Sequence, residues 1–329
     1  MLKLWHPAVF QGSLNKSGYY EGWYYKNVGP DEKAAYEVIP GISIPKNRDK
    51  AHAFVQFLDA REGRSYYFRY PIDEFRADEK AFDIEIGRSR FSLNRVRLDI
   101  DQDGTAIKAD LVYGNVRSWP VSLLSPGAMG WYGLLPMMEC YHDVLSFNSS
   151  IEGHFEINGV KQDFTGGKGY MEKDWGTSMP SSWIWMQTNH FGDSDVSLFG
   201  SIADIPWIGR HFIGYLFGLL LDGSLYRFTT YTGAKVRGLK IDGSRIAFSL
   251  EDRKYRLEIR GERAGGGTPL MAPKIGDMSV RIDENLESVI HVALHEKKGR
   301  GLLFTGAGKN AGLEYVGDMS RLMDGLASC

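Results

Sequence analysis

The segment Gly169–Phe191, GYMEKDWGTSMPSSWIWMQTNHF, places carboxyl groups among tryptophans. If its YMEKD portion is extended, Tyr170, Glu172 and Asp174 project to one side, and the two carboxyls lie about 7 Å apart at ~3.4 Å per residue. Close carboxylates in a dry site oppose double ionisation, so one should stay protonated near neutral pH. Lys173 projects the other way. The pattern predicts a proton donor; the alternative is a carboxylate that caps the next turn or pairs with an arginine.

The second half of the same segment predicts a strand that is buried on both sides. One face carries Trp183, Trp185, Gln187 and Asn189, whereas Ile184, Met186 and Thr188 take the other. Buried amide side chains need hydrogen-bond partners. A polar and aromatic lining is therefore the functional interpretation of this strand.

A third acid occurs near the N-terminus, in SGYYEGWYYKN. An extended chain there puts Tyr19, Glu21, Trp23 and Tyr25 on one face, so an acid lies within an aromatic row. The competing interpretation is an edge strand with a solvated Glu21.

Other motifs are weaker. TGAGKN (Thr305–Asn310) lacks the hydroxyl residue that follows the lysine of a phosphate loop, so we interpret it as a strand turn. His291 and His295 share a strand face with no nearby third ligand, and ECYHD (Glu139–Asp143) has no partner at metal-ligand spacing. No metal site is predicted. Two distant cysteines, Cys140 and Cys329, form no disulfide framework and fit a reducing compartment.

Composition narrows the class of protein. The chain has 329 residues, 43% of them hydrophobic, and a net charge of −2, which gives no electrostatic footprint for nucleic acid. Its first residues do not read as a secretory signal, and its longest apolar run, Phe212–Leu221, is too short to span a bilayer. We expect a cytoplasmic protein, with peripheral membrane contact left open.

Period-two alternation dominates the chain and predicts half-buried antiparallel strands, as in FDIEI, VRLDI and YRLEIR. Four Asp-Gly or Asn-Gly pairs predict tight hairpins, at Asp103, Asn158, Asp222 and Asp242. Helix signals are scarce outside the tail, GDMSRLMDGLA. We therefore expect an all-β protein of two barrels or sandwiches, or one large one, and a change of domain that divides the chain into residues 1–180 and 181–329. The apolar stretch Ser122–Asp143 breaks the alternation and is either a lid over a cavity or a buried crossover.

The chain resembles the tocopherol cyclase family in four motifs: YYEGWYYK, YMEKDWGTSMPSSWIWMQTNHF, GTPLMAP and AGLEYVGD. One departure is Asp174, where family members usually have Asn. The resemblance implies two lipocalin-like antiparallel β-barrels with few short helices, akin to the carotenoid hydratase group. It also implies closure of a chromanol ring from a prenylated hydroquinone, an intramolecular lyase or isomerase reaction that requires no cofactor.

That reaction protonates a trisubstituted alkene, and a phenol oxygen attacks the resulting tertiary cation. Such a site needs a dry acid, aromatic faces near the cation and polar groups that orient the ring. The candidate acids are Glu172, Asp174 and Glu21. The candidate substrate-binding residues are Trp23, Tyr25, Tyr170, Trp175, Trp183, Trp185, Gln187 and Asn189. A carrier that binds a hydrophobic isoprenoid without catalysis is the alternative, and it would have no use for a buried acid.

Overall fold

The computed structural model describes residues 3–192, 195–208, 210–299 and 301–327, and the fold is all-β as expected. The strands of the first half are β1 (Tyr19–Val28), β2 (Ala35–Ile44), β3 (His52–Asp59), β4 (Arg64–Pro71), β5 (Phe75–Ala77), β6 (Asp83–Ile86), β7 (Ser89–Ser92), β8 (Arg95–Gln102), β9 (Thr105–Gly114), β10 (Cys140–Ile157), β11 (Val160–Asp163) and β12 (Lys168–Gly176). Those of the second half are β13 (Trp183–Thr188), β14 (Val196–Trp207), β15 (Arg210–Leu221), β16 (Ser224–Thr229), β17 (Lys235–Asp242), β18 (Arg245–Glu251), β19 (Tyr255–Glu262), β20 (Thr268–Lys274), β21 (Asp277–Glu284), β22 (Ser288–Glu296) and β23 (Gly301–Val316).

Helix is confined to short pieces. The 3₁₀ turns span Lys3–Trp5, Arg48–Lys50, Ile72–Glu74, Gly130–Leu134 and Thr230–Thr232, and the α-helix α1 spans Met319–Ala327. The predicted tail helix is confirmed, because the Asp318 carboxylate accepts hydrogen bonds from the backbone N–H groups of Ser320 and Arg321, as an N-cap does. Within the described ranges, no helix is long and apolar enough to cross a membrane.

The first sheet has 12 strands in the order β4-β3-β2-β1-β12-β10-β9-β8-β7-β6-β5, with β11 paired to β10. One apolar cluster takes side chains from nearly all of these strands, including Val38, Phe57, Phe91 and Ile151. A sheet can bring one face of so many strands to a single core only by curling around it. The period-two alternation arises in this way, since alternate residues enter the core.

The second sheet has nine strands in the order β16-β15-β14-β13-β23-β22-β19-β18-β17. Its core is a separate apolar cluster, with Ile184, Met186, Phe217 and Leu257 among its members. Strands β20 and β21 form a two-stranded sheet of their own.

The chain separates into two compact units. Unit 1 comprises Met1–Met179 with Thr268–Ile282, and unit 2 comprises Pro180–Gly267 with Asp283–Cys329. A single boundary at residue 180 therefore does not describe the β20–β21 hairpin, which belongs to unit 1 up to Ile282. The reason is specific bonding: the Gln56 side-chain amide both donates to and accepts from the Met271 backbone, at 3.0 and 2.9 Å.

Three of the four predicted hairpin pairs adopt the expected turn. At Asp103-Gly104, Asn158-Gly159 and Asp222-Gly223 both residues have positive φ, as a type I′ turn requires. The fourth differs, because Asp242 pairs with Arg245 and the turn residues are Gly243 and Ser244, with positive φ at Gly243. A glycine in the first turn position is the type II′ arrangement.

Gln56→Leu should loosen the hairpin, because it leaves the Met271 N–H and C=O without their amide partner. We expect unfolding to become easier by roughly 1–3 kcal/mol and hydrogen exchange at the Met271 amide to accelerate. Gln102→Leu, on β8, is the matched control and should change neither quantity. Unaltered protection of Met271 in the Gln56 variant would contradict this assignment.

Candidate functional site

Three adjacent strands, β1, β12 and β10, position the candidate acids. In their registers Asp174 lies between Gly22 of β1 and His142 of β10, and Glu172 lies between Tyr24 and Val144. Directly paired residues project to the same side of a sheet. One side of these strands, here called the acid face, therefore carries Tyr24 and His142 together with the predicted residues Tyr170, Glu172 and Asp174.

His142 lies between the two carboxyl groups. Its Nδ1 atom is 3.0 Å from Asp174 Oδ1, and its Nε2 atom is 3.9 Å from Glu172 Oε2. The Tyr170 hydroxyl donates a 2.6 Å hydrogen bond to Glu172 Oε2. The Asp174 contact fixes the orientation of the imidazole ring, with Nε2 directed towards Glu172.

Burial alone would lower the pKa of His142, but the charges of Asp174, Glu172 and Asp143 and the hydrogen bond to Asp174 outweigh it and raise the pKa to about 9. The imidazole is thus charged at neutral pH. The predicted protonated carboxyl depends on repulsion between Glu172 and Asp174, and a cation between the two carboxylates offsets that repulsion. His142 is therefore a further candidate proton donor beside Glu172 and Asp174.

A second layer of polar groups supports the cluster. The Tyr20 hydroxyl is 3.0 Å from Cys140 Sγ, which lies 3.6 Å from Asp174 Oδ1. Burial, with the neighbouring Asp174 charge, raises the pKa of Cys140 well above its ordinary value. The residue is therefore a neutral thiol that can donate towards Asp174, and it is poorly suited to act as a nucleophile.

The acid face continues as a row of buried polar side chains on β1 and β2. The Tyr24 hydroxyl donates to Glu37 Oε1 at 2.9 Å. Lys26 is paired in register with both Glu37 and Tyr170, and Lys26 and Glu37 are each only 1% exposed. Charged side chains are seldom buried this deeply unless they are paired. Tyr24, Lys26 and Glu37, here called the second polar pole, therefore lie on the same face as the His142 cluster.

Glu21 does not lie with Glu172 and Asp174. It occupies the opposite, core-directed side of β1, where its Oε1 atom is 2.5 Å from Lys173 Nζ and both side chains are fully buried. Tyr19 and the backbone N–H groups of Gln11 and Gly12 also donate to this carboxylate. The physical reason is register: Glu21 pairs with Trp175, whose side differs from that of Glu172 and Asp174.

Lys173 forms the centre of this core-directed site. Its ammonium group donates to the backbone oxygens of Pro7 and Val9, and it lies 4.8 Å from the ring centroids of both Trp23 and Trp175. Two aromatic faces are thus used to hold a cation, but the cation is a lysine of the protein itself.

Trp23 and Tyr25 belong to the same packed interior. The Trp23 indole donates to the Ala8 carbonyl at 2.8 Å and stacks on Phe82, whereas the Tyr25 hydroxyl donates to the Ser92 carbonyl. Both lie in the core cluster of unit 1, on the side of the sheet opposite the acid face.

The remaining predicted residues lie in unit 2. Trp183, Trp185 and Gln187 share a face of β13 opposite the core residues Ile184 and Met186, as their alternation predicted. The Trp183 indole donates to Glu314 Oε2 at 2.9 Å.

The Trp185 ring packs closely against Gly312 of the neighbouring strand β23. A Cβ atom built at Gly312 would meet its ring at 2.3 Å, so glycine is required there. Asn189 is buried one residue beyond β13.

Sequence reasoning missed four polar groups of the acid face: His142, Tyr24, Lys26 and Glu37. The ECYHD stretch has no partner at metal-ligand spacing in the sequence, but His142 within it contacts Glu172 and Asp174, about 30 residues further along the chain. Potential metal-ligand atoms of His142, Glu172 and Asp174 lie within 4.8 Å of one another, a spacing that could also hold a divalent cation.

Comparison with known proteins gives the family. Residues 104–317 match the family model described as tocopherol cyclase-like. The chain belongs to this family. It is 26% identical over 167 residues to the chloroplastic tocopherol cyclase of Zea mays, and 26% identical over 148 residues to the probable chloroplastic tocopherol cyclase of Oryza sativa subsp. japonica. The alignments cover 50% and 44% of this chain but only 34% and 31% of those proteins.

Solved structures agree on the fold of this tocopherol cyclase-like chain. A Nitrosomonas europaea protein assigned to AttH superposes with a TM-score of 0.52 at 13% identity, covering 90% of this chain and 93% of its own. CghA in complex with Sch210972 gives 0.52 at 10% identity, covering 91% and 89%. The expected pair of lipocalin-like β-barrels is thereby confirmed.

Lys173→Met should be strongly destabilising, because it leaves the Glu21 carboxylate buried without its cation. We expect a loss of ~3–5 kcal/mol in the free energy of unfolding, measured with urea. Adding Glu21→Gln should restore part of that loss. A Lys173→Met protein within about 1 kcal/mol of the wild type would show that the pair has no such structural role.

Proposed function

We propose that this protein closes a chromanol-type ring in a prenylated hydroquinone by acid–base catalysis on the acid face. The observation that carries the proposal is a charged imidazole held between Asp174 and Glu172 in a buried setting. Family membership supports the reaction class, since the relatives from maize and rice are described as tocopherol cyclases.

In the proposed step, His142 Nε2–H gives its proton to the less substituted carbon of the prenyl double bond, and Glu172 accepts the proton of the attacking phenol. The phenol oxygen then forms the C–O bond at the tertiary carbon. His142 ends neutral and Glu172 protonated, and a proton shift between them restores the starting state. No proton is gained or lost overall, as an isomerisation requires, and a concerted transfer avoids a free cation in water.

The groups around the site are consistent with His142 as the proton donor and Glu172 as the proton acceptor. Tyr170 donates to the Glu172 oxygen nearest His142, and its own pKa is raised well above the ordinary value by burial and by the Glu172 charge, so it remains a donor. Gly22 lies directly across from Asp174, and an added Cβ there would meet no atom closer than 3.8 Å. Gly22 therefore leaves open the position directly across from Asp174.

The second polar pole supports a substrate with two hydroxyl groups. Glu37, with Tyr24 and Lys26, lies further along the same face than the His142 cluster. We propose that it accepts a hydrogen bond from the ring hydroxyl that does not cyclise. A hydroxyl that donates to this carboxylate gains a charge-assisted hydrogen bond that a monophenol cannot form, so this pole would favour a hydroquinone.

The alternative is a carrier that binds an isoprenoid lipid without chemistry. A carrier gains nothing from an imidazolium held against two carboxylates away from water, and such an arrangement is costly to bury. This cluster favours the catalytic reading. The aromatic side chains of β13, Trp183 and Trp185, would serve either function.

Glu172→Gln and His142→Gln should each lower turnover of a prenylated hydroquinone by ~10²–10⁴-fold without loss of folding. Ring closure is measured by chromatographic separation of the chromanol from the hydroquinone substrate, because the two isomers have the same mass, and a parallel assay contains a chelator. Asp174→Asn, the residue usual in the family, is the matched control and should retain more activity than either. Wild-type turnover in both glutamine variants would refute the proposed donor and acceptor.

The pH dependence has a definite sign. Because the pKa of His142 is raised from 6.5 to about 9, the imidazolium is present below that value, and turnover should fall as pH rises through about 9. Its contribution to stability is likewise complete below pH 6.5 and lost as pH rises through about 9. Both dependences should disappear in His142→Gln.

Glu37→Gln tests the second pole. It should lower kcat/KM for a prenylated hydroquinone by about 10-fold or more, while the matching monophenol, which lacks the second hydroxyl, loses nothing. Turnover of the two substrates by wild-type and variant protein gives the comparison. Equal losses for both substrates would show that Glu37 has no part in recognising that hydroxyl.

A further inference from the structure

The segment Ser118–Met138, here called the apolar loop, joins β9 to β10 and contains no charged residue. Six of its large hydrophobic side chains are exposed: Val121, Leu123, Leu124, Trp131, Leu134 and Met137. The rest of the described chain has five such side chains, scattered on separate elements. Leu123 and Leu124 are 80% and 78% exposed, more than any other large hydrophobic in the described ranges.

The apolar loop is held in place by defined bonds. The Trp5 indole lies within hydrogen-bonding distance of the Ser122 and Leu123 carbonyls, at 3.2 and 3.3 Å. The Ala128 N–H donates to Asp143 Oδ2, and the Tyr141 hydroxyl donates to the Leu135 carbonyl. The exposed leucines are therefore presented by an anchored loop, and a buried crossover does not describe them.

We propose that the apolar loop inserts into the interface of a lipid bilayer and that the protein binds membranes through it. Two features select a lipid surface. First, the loop combines leucines with Trp131 and Tyr132, whose amphipathic rings favour the level of the headgroups. Second, one flank is basic, with Arg117 before the loop and Lys3 in the turn whose Trp5 contacts it, whereas Glu139 follows the loop. Cations beside an apolar surface complement anionic headgroups.

The loop also leads directly to the candidate site. It ends at Met138, two residues before β10 begins, and Met129 Sδ accepts a hydrogen bond from the backbone N–H of the cluster residue His142. A prenylated substrate resides in the bilayer because its tail is apolar. A protein seated by this loop would bring the acid face near the source of such a molecule. Membrane binding itself does not depend on the proposed reaction.

The test is flotation of the full chain with vesicles. We expect the wild type to float with phosphatidylcholine vesicles, and more strongly when phosphatidylglycerol is included. Leu123→Asp combined with Leu124→Asp should lower the partition coefficient at least 10-fold. The control is Val160→Asp on β11, a 64% exposed hydrophobic outside the loop, which should float like the wild type. Circular dichroism and urea unfolding verify that both variants are folded.

Two outcomes would overturn the proposal: no flotation of the wild type with either vesicle, or equal flotation of the Leu123/Leu124 variant. Sedimentation equilibrium distinguishes the competing use of the loop. If the wild type dimerises without vesicle binding, and the variant is monomeric, the loop is a self-association surface. Turnover separates this proposal from the reaction: a short-tailed soluble substrate should react equally with both proteins, and only vesicle-borne substrate should react more slowly with the variant.

Discussion

Strand β12 can carry buried charge on both faces because each face meets a cation. Towards the core, Lys173 neutralises Glu21 and is itself held by backbone carbonyls and two indole rings. On the acid face, His142 lies between Glu172 and Asp174. Removing ions from water costs several kcal/mol each unless partners and hydrogen bonds replace the lost solvation. The position of β12 between β1 and β10 therefore depends on this charge matching.

The consequence for the candidate site is a separation of roles that residue types alone would not suggest. Three acids in two motifs look interchangeable, yet one is a structural partner of a lysine and two flank an imidazole. The tryptophans separate in the same way, because Trp23 and Trp175 surround the lysine while Trp183 and Trp185 lie in unit 2. The acid–base chemistry that we propose uses a compact group of residues on β12 and β10.

Much of the fold is predictable because its rules are local. Alternation fixes which residues of one strand share a face, so Glu172 and Asp174, or Trp183 and Trp185, are correctly grouped from the sequence. Three hairpin turns and the Asp318 cap follow from side chains within a few residues. Register between distant strands is set by tertiary packing and is not local. That is why the pairing of Glu21 with Lys173 is not predicted from the sequence, why His142 is missed, and why the Gln56 contacts that tie the β20–β21 hairpin to unit 1 are not anticipated.

The pairing of β12 with β10 also limits where residues can be inserted or deleted during evolution. A single inserted or deleted codon within β12 would reverse the parity of every later residue, turning Glu172 or Asp174 inward and Lys173 outward. Strand β10 already contains register shifts between Val144 and Ser146 and between Ser146 and Ser149, both beyond the His142 cluster. Irregularities of this kind absorb an extra residue without disturbing what precedes them. Length variation among descendants of this chain should therefore accumulate after Val144 of β10, whereas β12 should keep a constant length.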